Sequence, residues 1–162
     1  MKKIQPWLGL AARLILGGTL IAAGYLKFDE LDKSQMAVRA YEMLPIPLAN
    51  FLGIVVPFFE LAVGILLVIG AGVRISAALS AILMIAFMIA ITQAWARGLS
   101  IDCGCFGGGG QVPEGEANYL TPLLRDTGLA LLGIYLTLFP HTKFGLDKKP
   151  QSATQLGEGT HG

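Results

Sequence analysis

Charge is scarce in this chain. Of its 162 residues only 14% are charged, 12 basic and 11 acidic, while 54% are hydrophobic and the mean hydropathy is +0.63. A soluble domain carries about a quarter charged residues, so a water-driven core is excluded as the main organising force. There is no basic stripe, which removes nucleic acid from the expected partners. Histidine is limited to His141 and His161, and cysteine to Cys103 and Cys105. A structural zinc site takes four ligands. Two thiolates with distant histidines leave metal binding dependent on a dimer or a partner, and no metal site is assigned.

What the chain has instead is apolar residues in blocks close to the roughly 20 needed to cross a bilayer. Four spans are expected, at Trp7–Leu26, Phe51–Gly70, Ile75–Ala96 and Leu123–Phe139, the last with room to begin nearer Tyr119. The first is not read as a signal peptide, because its apolar run is long and Arg13 interrupts it. The expected fold is an all-α integral membrane protein. Its domain, 1–145, is a four-transmembrane-helix bundle, followed by a polar, disordered tail over 146–162. Four spans put both termini on one side. Lys2, Lys3, Arg74, Lys143, Lys148 and Lys149 share that side, against Lys27, Lys33, Arg39, Arg97 and Arg125 opposite. This near-level count leans toward cytoplasmic termini in a bacterial inner membrane. The cysteines then lie outside, where disulfides persist.

Between the first two spans Met36, Ala37, Ala40, Tyr41 and Leu44 recur at helical spacing. A short helix in the membrane interface, or one packed on the bundle, is expected there, capped by Asp32 or Ser34 and ended by Pro45 and Pro47. Gly70-Ala71-Gly72 reads as a tight turn. The outer loop from Arg97 to Pro122 is long and glycine-rich, so it is expected to move. Thr121 and Pro122 read as the start of the last helix. Gly17, Gly18 and Ala22, with Ser76 and Ser80, are small residues suited to close helix contact.

The chemistry centres on Asp102-Cys103-Gly104-Cys105-Phe106. Cysteines one residue apart bond only across a turn, which Gly104 permits. The small ring is strained and easily reduced, which suits an exchanged bond better than a staple. A single pair needs its second disulfide from a partner, or a small-molecule acceptor such as a quinone. Arg97 would favour the thiolate, and Asp102 would oppose it or accept its proton. Arg13 and Glu60 lie inside spans, where ionisable residues face other helices or polar cavities. They are expected to pair, either to lock the bundle or to form a polar site. Lys27 is expected to snorkel to the surface. Asp126 reads as a helix-dipole residue that could also reach the cysteine loop, and Arg125 as a contact for membrane lipid. Trp7 and Trp95 fit an aromatic belt, and Gln93 with Trp95 an outer mouth.

From Ala12 to Phe139 the chain resembles the DoxX-like membrane proteins, and more closely the branch named for the methylamine utilisation protein MauE. The likeness runs through Arg13 with Gly17, Gly24-Tyr25-Leu26-Lys27, Glu60-Leu61-Ala62-Val63-Gly64 and Gly70. It is most specific at Trp95 to Gly98, the cysteine stretch and Leu124-Arg125-Asp126. The resemblance implies extracytoplasmic thiol chemistry beside a thioredoxin-like partner, with a secreted disulfide-containing client, and for some relatives quinone reduction. The expected function is therefore a membrane thiol–disulfide redox protein of the oxidoreductase type, with Cys103 and Cys105 as the reacting pair. The rival is a non-catalytic anchor or assembly subunit whose cysteine loop docks a partner or relays metal.

Overall fold

The computed structural model describes residues 5–104 and 108–140, with side chains from Trp7 onward. Cys105, the histidines and the expected tail over 146–162 lie outside the described residues. Helix α1 spans Gln5–Asp29, α2 Leu31–Ala40, α3 Ile46–Ile69, α4 Val73–Ala96 and α5 Leu120–Leu138. Three of them, Trp7–Asp29 within α1, α3 and α4, are long and apolar enough to cross a membrane. Helix α5 has 19 residues and carries Arg125 and Asp126 in its first half. Helix α1 packs along α3 and α4 along α5, while α3 meets α4 and α1 meets α5 to close the ring. Leu16, Leu20, Leu67, Met84 and Leu136 fill its centre.

Small residues set the close approaches. A Cβ on Gly17 would meet the Gly64 carbonyl oxygen at 3.0 Å, and one on Gly24 the Pro57 oxygen at 2.8 Å. These contacts fix α1 and α3 as antiparallel and leave only backbone-to-backbone room, the arrangement that stabilises helix pairs where lipid supplies no hydrophobic drive. Gly133 approaches Ala77 and Ala81 in the same way across the α4–α5 seam. Gly18 and Ala22, expected in such a seam, face outward instead. Gly70 takes a left-handed conformation, and its N–H and that of Ala71 both donate to the Leu66 carbonyl. This glycine stop ends α3 in the expected turn.

The proline expectation needs correction. Pro45 and Pro47 do not end α2, which stops at Ala40; they open α3, whose first turn tolerates a missing N–H. Neither Asp32 nor Ser34 caps α2, which begins after Glu30 with no side-chain cap. Ser34 has another role. Pro57, buried inside α3, cannot donate to the carbonyl one turn earlier, at Gly53. The Ser34 hydroxyl donates to that oxygen at 2.8 Å, in a buried contact. Gly53 has no side chain, which lets the Gln35 backbone come close enough for this bond. Helix α2 is thus docked on α3 by the hydrogen bond that Pro57 leaves open.

The loop from Arg97 to Pro122 is also more ordered at its base than its glycines suggest. Strands β1 (Ile101–Asp102) and β2 (Gly110–Gln111) pair antiparallel, Ile101 with Gln111 and Asp102 with Gly110. Ile101 is buried with Ala40 and Ala94. Helix α5 starts at Leu120, two residues before the expected Pro122, and the Asn118 Oδ1 accepts from the Thr121 N–H at 3.2 Å.

Ser34→Ala should lower unfolding stability in detergent by about 1–3 kcal/mol, the cost of a buried carbonyl without a donor. In a Pro57→Ala background, where the helix supplies its own N–H, the same change should cost clearly less. Equal costs in the two backgrounds would contradict this account of the α2 dock.

Candidate functional site

One face of α1 carries Arg13, Leu16, Leu20, Ala23 and Lys27, all buried. Side chains on a helix lean toward its N-terminus. Lys27, near the end of α1, therefore leans back into the bundle. Glu60, on the antiparallel α3, leans toward it. Their heads meet: Lys27 Nζ donates to Glu60 Oε1 at 2.7 Å and to Oε2 at 2.8 Å. Lys27 is 5% exposed and Glu60 1%. The ammonium also stands 5.0 Å from the centroid of the Phe87 ring, a cation–π distance.

The expected Arg13–Glu60 pair is thereby corrected. At about 1.5 Å per residue, Arg13 lies roughly 21 Å along α1 from Lys27. The α1–α3 contacts put Gly24 beside Pro57 and Gly17 beside Gly64, so the level of Glu60 is that of Ile21, not of Arg13. The expectation that Lys27 snorkels outward fails for the same reason: its reach is used inward. The spacing Leu16, Leu20, Ala23, Lys27 is the sequence signal that places Lys27 on the interior face of α1.

A second charged pair adjoins the first. Arg125 Nε donates to Asp126 Oδ1 at 2.8 Å, and its Nη2 lies 2.7 Å from the same oxygen. Asp126 is 1% exposed and sits past the first turn of α5, so the helix dipole does not account for it. Glu60, Phe87, Arg125 and Asp126 line one small cavity of about 10 Å³. The Asp126 Oδ2 has no hydrogen-bond partner among the described residues. A space of that size admits about one water. This cavity is too small for a quinone ring.

Above these pairs sits the cysteine hairpin. Cys103 is half-buried, and its carbonyl accepts from the Tyr41 hydroxyl at 3.1 Å. Gly104 and Gly109 both take positive φ and press on Ala37 of α2. A side chain at either would collide with Ala37, so glycine is required there by space as well as by conformation. Cys103 and Lys27 line one cavity of about 50 Å³ between the hairpin and the bundle. That is room for a few waters.

The remaining predicted residues are placed as follows. Arg97 reaches α2, donating to the Tyr41 and Glu42 carbonyls and pairing with the Glu42 carboxylate at 3.2 Å. It thereby holds Glu42, the one described non-glycine residue with positive φ. Asp102 is exposed on β1. Trp95 stacks on Tyr119, and Gln93 lines an open groove along α4 with Met88 and Thr92 instead of the cysteine hairpin. Among the described residues no group of three or more His, Cys, Asp or Glu is gathered that could hold a metal.

Three apolar spanning helices, a buried charged centre and a cysteine hairpin packed over it define a small multi-pass membrane protein. The family described as Methylamine utilisation protein MauE matches over residues 5–139, and the chain belongs to that family. The methylamine utilization protein MauE of Paracoccus denitrificans is 32% identical over 129 residues, which cover 79% of this chain and 69% of the relative. No solved structure matches.

Coupling should follow the observed pairing. In detergent, Lys27→Met and Glu60→Gln should each cost about 3–5 kcal/mol, because each leaves a buried lone charge. Their costs should fall well short of additive when combined. Arg13→Met and Glu60→Gln should add, as distant sites do. A coupling energy larger for Arg13 than for Lys27 would contradict the assignment.

Proposed function

We propose that this chain is a membrane thiol–disulfide redox protein that works at the outer face of the bacterial cytoplasmic membrane. In this reading α5 is the fourth span, both termini are cytoplasmic, and α2 lies at the outer interface beneath the cysteine hairpin. The observation that carries the reading is the position of Cys103. It is half-buried, on a hairpin held by Tyr41 and Ala37, beside a cavity whose wall includes the buried Lys27. A loop that only docked a partner would not require its cysteine to be held in this way.

The step is exchange. One cysteine, as thiolate, attacks a partner's disulfide; a mixed disulfide forms and a partner thiolate leaves. The other cysteine then attacks the mixed disulfide, releasing the partner as a dithiol and leaving Cys103 and Cys105 joined. Two electrons and two protons pass to the partner. The reverse sequence oxidises a client. The chemistry suits a thioredoxin-like protein or a secreted disulfide-containing client. Methylamine utilisation, the process in the relative's name, is the first setting in which to seek that client.

The test is alkylation of intact cells with a membrane-impermeant maleimide, followed by trapping. Both cysteines should label from outside only after reduction, and Cys105→Ser or Cys103→Ser should accumulate a mixed disulfide with one discrete protein. Labelling confined to opened cells would put the hairpin on the cytoplasmic side. Full function in both single variants would favour the anchor reading.

A further inference from the structure

The cavity beside Cys103 is charged on one wall. Lys27 lines it and Glu60 does not, so of the two paired residues it is the lysine that borders the space that Cys103 shares. Much of the rest of the wall is apolar: Val38, Val56 and Phe87. Charge acting across such a space is far less weakened than in water, and salt screens it little. Three other polar residues lie on the elements around Cys103. Tyr41 donates its hydroxyl to the Cys103 carbonyl, Asp102 is exposed on the hairpin, and Arg97 is engaged by Glu42. Beyond Glu60, Asp126 is held by Arg125.

We infer that Lys27 is a positioning residue for the thiol: held in place by Glu60, it turns its ammonium toward the Cys103 cavity and favours the thiolate there. Glu60 then has two opposed effects. It anchors the lysine, and it offsets part of the lysine's charge. This inference deepens the exchange reading and rests on Cys103 being the reacting thiol. It also makes a signed statement that packing alone does not make. When Cys103 ionises, its S–H bond breaks heterolytically and the proton leaves to water; no oxidant or reductant is required.

The measurement is the alkylation rate of Cys103 against pH, in full-length Cys105→Ser protein reconstituted in phospholipid vesicles, with iodoacetamide as the probe. Lys27→Met should slow the reaction at neutral pH roughly tenfold and move the profile alkaline, the scale expected for loss of a nearby opposite charge. Glu60→Gln, which leaves the ammonium unopposed, should speed it and move the profile acid. Lys27→Arg should stay close to the parent. Where a single variant does not accumulate, the double variant Lys27→Met/Glu60→Gln removes both charges without leaving either alone, and it too should react slowly with an alkaline-shifted profile. Shifts of the same sign in the two single variants, or a parent-like profile in the double variant, overturn the inference. The readout is the thiol itself, so this failure is distinct from a failure to find any partner disulfide.

Discussion

The Lys27–Glu60 ion pair is the constraint to which the rest of the bundle conforms. Two charges placed within a membrane-spanning bundle are costly unless they meet with good geometry. Here both carboxylate oxygens are within 2.8 Å of one ammonium, and an aromatic face covers it. For this meeting α1 and α3 must be antiparallel, in one register and close together. Gly17, Gly24 and Gly64 permit that closeness, since a Cβ at any of them would press on the opposing helix. The pair and the glycine seam therefore specify the same alignment by two independent means.

Helix α2 extends that alignment outward to the cysteines. Its inner face is Ser34, Ala37 and Ala40. Ser34 binds the carbonyl that Pro57 cannot serve, Ala37 receives the two glycines of the hairpin, and Tyr41, just beyond, holds Cys103. One short helix thus joins a defect in α3 to the position of a thiol. Arg97 closes the arrangement from α4 by gripping the turn after α2. A buried charged centre, a helix laid across it and a cysteine hairpin on top form one packed stack at one end of the bundle.

Much of this was legible in the chain and part was not, for physical reasons. The spanning helices declare themselves by length and apolar content, and the turn at Gly70 by its glycines. The cysteine loop declares itself by composition, because nothing else in the chain offers a nucleophile pair. Arg13 is not the partner of Glu60, because depth counted from the ends of the apolar blocks does not give the register of α1 on α3. That register is set by the glycine contacts, Gly17 on Gly64 and Gly24 on Pro57, which leave Arg13 about two turns from the level of Glu60. Lys27 was assigned to the surface from its place near the end of a span. Its helical phase, in line with Leu16, Leu20 and Ala23, carried the contrary message. The Ser34–Gly53 bond depends on which elements meet in space, which local spacing does not encode; the Asn118 cap is a local contact with Thr121, three residues on, and its signal is an Asn before the helix.

The most direct test of this account is a charge exchange at the buried pair. Lys27→Glu and Glu60→Lys would each be introduced alone and together, and the amount of folded protein extracted from membranes would be measured. Each single change puts two like charges in contact and should abolish folded protein. The exchanged pair, with the same two groups meeting in reverse, should recover a substantial fraction of it. Single variants that accumulate like the parent, or an exchanged pair no better than either single, would show that this contact does not organise the bundle.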